Sequence, residues 1–132
     1  MQDRGWWLVA ALSGALVVMA GAFGAHALEG QLTARLAAAF ETGVRYQAWH
    51  TLALLAVLAW RAACPVAGQR LAMALWAAGI VLFSGSLYAM ALVGATALGM
   101  ITPLGGLLMI AGWLTLAATA LRARPQSPSG RA

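Results

Sequence analysis

Tyr46 and His50 stand four residues apart in a largely apolar run, and Gln47 and Thr51 repeat that spacing one position on. At 100° per residue, these four side chains share a polar sector of roughly 140° on one helix. Ser84 and Tyr88 have the same spacing in another apolar run, with Gly85 between them. Phenol, carboxamide and hydroxyl groups exchange hydrogen bonds, and an imidazole also moves protons and binds metals. Such groups are expensive in lipid, so an ionisable residue inside a span is a functional candidate by default. Two readings are open. In one, the groups are glue that hydrogen-bonds across packed helices. In the other, Tyr46, Gln47, His50, Ser84 and Tyr88 line a wet pocket in the outer half of the membrane, with His50 at its floor.

Other chemistry fits these residues less well. Counted along helices, the two histidines, His26 and His50, fall about 15 Å apart along the membrane normal, too far to share a haem. A metal site of His26, Glu29 and His50 has the same difficulty and no recognised spacing. Ser84 and Ser86 lack the G-x-S-x-G setting of a serine nucleophile, and no phosphate-binding glycine motif occurs. The single cysteine, Cys64, allows no intramolecular disulfide and sits beside Pro65 in a short loop. The expectation is therefore no catalytic residue, no metal and no cofactor. The pocket would bind a lipid, a small hydrophobe or a partner helix without enzymatic chemistry. The alternative is a small transporter or proton-coupled carrier using His50 and Tyr46. The three acidic residues, Asp3, Glu29 and Glu41, are all peripheral to the spans, which weighs against that alternative.

The elements that must position these groups follow from composition. The chain has 132 residues, 63% hydrophobic and 8% charged. Soluble domains carry about a quarter charged residues, so this is an integral membrane protein. Crossing the hydrocarbon core takes roughly 20 helical residues. Four runs suffice, at about 5–28, 43–61, 71–94 and 103–121. The predicted fold is all-α: an up-down four-helix membrane bundle in one domain, residues 1–121, followed by a disordered tail at 122–132. The first run is expected to stay uncleaved, because it is longer than a signal-peptide core and its MQDR leader has no net charge. Gly21, Gly24, Gly79, Gly85, Gly105 and Gly112 are predicted helix-packing positions. Leu28, Leu32, Leu36 and Phe40 recur every four residues, which reads as a short interfacial helix after the first span. Otherwise the segment extends span two, and a single helix from 31 to 61 would be roughly 46 Å long. It would need a bend, for which Gly43 is the candidate.

All eight basic residues are arginines, giving a net charge of +5. They stand singly at the ends of apolar runs, a pattern that fits anionic headgroups and excludes a nucleic-acid partner. Arg4, Arg61, Arg70, Arg122, Arg124 and Arg131 fall on one side of a four-span chain, against Arg35 and Arg45 on the other. The positive-inside rule then puts both termini in the cytoplasm of a plasma-membrane protein. His26, Glu41 and Arg45 become an outer rim, with Glu41 and Arg45 spaced for an ion pair. Membrane lipid is the expected partner, together with a partner membrane protein or a homo-oligomer.

Four motifs in order, "GAFGAHAL", "FETGVRYQAWHTLALL", "LFSGSLYAMAL" and "ITPLGGLLMIAGW", resemble the family called domain of unknown function 423. Its members are small four-span inner-membrane proteins, similar to the eukaryotic transmembrane protein 256 group. The resemblance covers nearly the whole chain outside the tail. It places the family pattern on Gly21, Gly24, His26, Phe40, Tyr46, Gln47, His50, Ser84, Gly85, Ser86, Tyr88, Pro103 and Gly105. Gly43 departs from that pattern. The resemblance implies fold and location but no activity.

Overall fold

The computed structural model describes residues 3–123, which form four α-helices: α1 (Arg4–His26), α2 (Ala34–Ala63), α3 (Gln69–Val93) and α4 (Thr102–Arg122). A short 3-10 turn, Thr96–Met100, leads into α4. There is no strand among the described residues. Three segments, α1, α3 and Thr96–Arg122, are long and apolar enough to cross a membrane. The longest helix, α2, is not among them, because Tyr46, Gln47, His50 and Thr51 interrupt its apolar run. Beyond Ala123, the expected tail lies outside the described residues.

The separate interfacial helix is not formed. Residues 27–33 are turns, with Gly30 at a φ of 71°. Thr33 then starts α2: its backbone is extended and its hydroxyl accepts a hydrogen bond from the Leu36 amide, which satisfies an orphan donor of the first turn. From there α2 is one helix of 30 residues, about 45 Å long. Gly43 lies inside it. A Cβ at Gly43 would lie 2.9 Å from Cε1 of Tyr88, so the glycine makes room for that ring.

The middle of the fold is α2, which packs on α1 and on α3, and α3 packs in turn on α4. The core joins Ala10 of α1, Ala53, Leu54, Val57 and Leu58 of α2, and Met73 and Trp76 of α3. Close glycine contacts set the helix spacings. A Cβ on Gly24 would meet the Phe40 ring at 2.9 Å, and one on Gly79 would meet the Gly105 carbonyl oxygen at 3.0 Å. At Gly105 it would run into the Phe83 backbone, and at Gly112 it would meet the Trp76 indole at 2.5 Å. Gly21 has only an ordinary contact with Val44. Gly85 is a correction: nothing lies within 4 Å of its Cβ position, because α1 rests on α2 and leaves this face of α3 uncovered.

The helix ends are tied by polar groups. Asp3 bridges Arg61 and Arg70, each at 2.9 Å. The Arg70 hydrogen bonds, reinforced by Arg61, hold the Asp3 carboxyl below the usual carboxylate range against an opposing push from desolvation. Gln69 caps the adjoining loop by donating to the Cys64 carbonyl and accepting from the Val66 amide. Gly68 begins α3 at a φ of 103°, with the Thr119 side chain where a Cβ would sit. That close approach brings the end of α4 to the start of α3.

Candidate functional site

The polar residues of α2 face two different neighbours, because Gln47 lies about 100° around the helix from Tyr46 and about 60° from His50. On one side, α1 and α3 stand apart above α2 and flank an open cleft of about 910 Å³. Its walls are Leu16, Met19 and Phe23 of α1 and Ile80, Val81, Gly85 and Leu92 of α3. Its floor carries Phe40, Gln47, Ser84 and Tyr88, and His26 stands at its end. The cleft is therefore mostly hydrocarbon, with a small polar floor. Of the five residues expected to share a pocket, it gathers Gln47, Ser84 and Tyr88.

Hydrogen bonds knit that floor. Tyr88 donates to Oε1 of Gln47 at 2.7 Å, and Ser84 donates to the Gly43 carbonyl at 2.7 Å. Nε2 of Gln47 donates across to α1, to the Ser13 carbonyl at 3.2 Å and to Oγ of Ser13 at 3.3 Å. Ser13 and Thr51 share a further bond of 2.6 Å. Three helices are thus joined through Gln47. The Tyr88 ring packs on Phe40 at 5.0 Å between centroids.

Tyr46 and His50 lie on the other side and do not reach Ser84 or Tyr88. His50 is buried between α3 and α4, where Trp113 donates to its Nε2 at 3.1 Å. An indole N–H only donates, so the imidazole proton sits on Nδ1, which donates to the Tyr46 carbonyl at 2.7 Å. Both ring nitrogens are used and the ring is neutral. Trp76 and Trp113 pack edge-on to it, with centroids 6.2 and 6.0 Å away. Tyr46 packs on Phe83 at 4.8 Å and on Trp49 at 5.3 Å. Instead of flooring a wet pocket, His50 is the polar centre of an aromatic cluster that links α2 to α4.

The rim residues stay separate. Glu41 and Arg45 are both exposed, and the ion pairs among the described residues are those of Asp3. A helical i,i+4 pair is worth only about 0.2–0.5 kcal/mol, too little to fix two long exposed side chains. Both residues instead border a shallow hollow of about 300 Å³ beside Gly21 and Gly24. Among the described residues, no group of three His, Cys, Asp or Glu side chains is placed to hold a metal.

Sequence reasoning missed Ser13, Trp76 and Trp113 as partners of the polar set. Ser13 was visible as the one hydroxyl residue of the first span. For the two tryptophans, nothing in their spacing pointed to a histidine on another helix.

A family profile described as "Protein of unknown function (DUF423)" matches residues 20–106. The chain belongs to this family. Among DUF423 relatives, a UPF0382 membrane protein of Haemophilus influenzae is 47% identical over 107 residues, covering 81% of this chain and 86% of its own. The UPF0382 inner membrane protein YgdD of Escherichia coli K12 is 38% identical over 137 aligned residues, covering 98% of both chains. A UPF0382 membrane protein of Staphylococcus haemolyticus is 42% identical over 114 residues, covering 83% of this chain and 88% of its own. No solved structure matches. With its apolar helices, this DUF423 chain is a helical inner-membrane protein.

Proposed function

We propose that this DUF423 protein crosses the inner membrane four times, up and down, with both termini in the cytoplasm, and holds one amphipathic molecule of the bilayer in the α1–α3 cleft. The carrying observation is the cleft itself: about 910 Å³, walled by apolar side chains, with a small polar floor and no arginine or carboxylate in its lining. A gap beside bare Gly85 is costly for a bundle whose helices associate by packing alone. An acyl or isoprenoid chain entering sideways from the membrane would restore that packing. This reading is of a binding protein rather than an enzyme.

Two features support the topology. Asp3, Arg61 and Arg70 gather at one end of the helices, and the end of α4 meets the start of α3 through Gly68 and Thr119. This collects arginine-bearing ends on one side, which the positive-inside rule assigns to the cytoplasm. Although α2 is the least apolar helix, its polar residues Gln47, His50 and Thr51 are buried against protein. A lipid-facing span would not tolerate them, whereas a central one does. Reporters fused to either terminus should read out as cytoplasmic, and one inserted near Gln31 as exterior. A periplasmic C-terminal reporter would end the four-span reading.

Occupancy is tested by filling the cleft. Gly85 is helical, exposed and unopposed, so Gly85→Leu should fold and project its side chain into the space. Purified wild type should be photolabelled by a diazirine fatty-chain probe at Phe23 and Tyr88. The variant should be labelled there no more than at Leu114, an exposed position on α4. Equal labelling of Phe23 and Tyr88 in both proteins would overturn the cleft as a binding site.

A further inference from the structure

Each helix that borders the cleft contributes to it from one half only. The lining begins on α1 at Leu16 and ends past His26, and on α3 it runs from Ile80 to Leu92. From α2 it takes nothing beyond Gln47. These are the halves remote from Asp3, Arg61 and Arg70. In the other half α1 is closed down on its neighbours. Ala10 shares the buried core with Leu54, Met73 and Trp76, and Asp3 at the head of α1 is tied to Arg70 of α3. Ser13, bonded to Gln47 and Thr51, fastens α1 to α2 just before the lining begins. The cleft is thus a slot with one shut end. At 1.5 Å per residue, its walls rise about 15 Å from Leu16 to His26 and about 18 Å from Ile80 to Leu92. Half of a hydrocarbon core of roughly 30 Å is about 15 Å, so the slot is one leaflet deep.

Resting on the cleft as the ligand site and on cytoplasmic termini, we propose that it takes the chain of an outer-leaflet lipid and excludes lipids of the inner leaflet, the head lying at the His26 end and the chain tip stopping beside Leu16 and Ile80. Recognition is by hydrocarbon alone. The surface that the cleft offers is almost wholly apolar, and its lining holds no arginine, lysine or carboxylate. A charged or zwitterionic head gains nothing inside and stays at headgroup level. The walls continue into the lipid-facing side of α1, where Leu12, Leu16 and Met19 are exposed, so a chain moves in from the bilayer without meeting water. An inner-leaflet lipid has its head at the Asp3 end, and its chain finishes where the slot begins. It could fill the slot only by drawing that head into the hydrocarbon, at the full cost of desolvating it.

The test offers one leaflet at a time to the full-length protein in bacterial membranes. The probe is a single-chain phosphatidylcholine with a diazirine in its chain, whose zwitterionic head keeps it in the leaflet it enters. Spheroplasts present the outer leaflet to it, and inverted vesicles the inner one. Two exposed residues away from the cleft report bulk lipid: Leu107 in the outer half of α4 and Leu8 near the start of α1. In spheroplasts Phe23 should be labelled above Leu107, and Gly85→Leu should remove the excess. In inverted vesicles the excess should be lost while Leu8 is labelled, which shows that the probe has inserted. The comparison of the two preparations uses wild type and needs no variant to fold. An excess at Phe23 in both preparations, or in inverted vesicles alone, would overturn the leaflet selectivity while leaving the cleft a lipid site. Labelling of Phe23 no higher than Leu107 in either preparation, or an excess that survives Gly85→Leu, would remove both. Labelling below Leu107 would mean that a protein helix covers the cleft, and would also remove both.

Discussion

Trp76→Ala is expected to destabilise the bundle by about 3–5 kcal/mol, read as a shift in the denaturing SDS fraction for the purified protein. Trp76 heads the fully buried side chains by volume and is 0% exposed. It stands where three helices meet: it packs in the core with Leu54, Leu58 and Met73, edge-on to His50, and 4.6 Å from Trp113. Its indole fills the space that a side chain on Gly112 would need. Lipid cannot refill so enclosed a cavity, so the loss is dispersion energy over the whole ring. Its Nε1 has no hydrogen-bond partner among the described residues, so Trp76 is held by shape. Trp76→Phe should therefore cost much less than Trp76→Ala, since it keeps a ring and removes a buried, unsatisfied N–H. Equal losses in the two variants would mean that burial of a ring is not what holds this position.

Gly105→Leu is expected to release α4 from α3, at about 3 kcal/mol or more. A Cβ at Gly105 runs into the backbone of Phe83, and a backbone cannot swing aside as a side chain end does. Overpacking of ordinary cores costs about 1–3 kcal/mol, and a clash with main chain belongs at the upper limit. The neighbouring Gly106 is the control. A Cβ there meets only the Phe83 ring at an ordinary 3.7 Å, so Gly106→Ala should shift the same SDS transition by less than about 0.5 kcal/mol. A Gly105→Leu protein as stable as wild type would refute the close crossing of α3 and α4.

Membrane character, the all-helical class and the family were legible in the chain because they rest on summed properties: hydropathy over twenty residues and four ordered motifs. Gly24, Gly79, Gly105 and Gly112 were legible for a related reason, since small residues in apolar helices mark close crossings. Orientation around a helix was less legible. Tyr46 and Gln47 are adjacent in sequence, yet one packs on Phe83 and the other bonds to Ser13 and Tyr88. A polar sector of roughly 140° is wide enough to serve two neighbours, and spacing alone does not say where the boundary falls. Gly85 misled for the opposite reason. Its type matched a crossing, but whether a helix covers it depends on the lean of α1, which follows from contacts that α1 makes elsewhere. The room that Gly43 makes for Tyr88 was hidden because that ring lies far along the chain.

The bridging carboxylate also bears on the order of assembly. Asp3 finds Arg61 and Arg70 fifty-eight and sixty-seven residues downstream. In the folded chain α1 meets α2 through Gln47, Thr51 and Phe40, but the leading end of α1 has no Arg61 to pair with until α2 has been synthesised. The second fastening arrives only with the opening turn of α3. The close crossings of α3 and α4, by contrast, join segments that leave the ribosome in quick succession. Asp3 is thus the stitch that ties the start of α1 to both sides of the loop between α2 and α3.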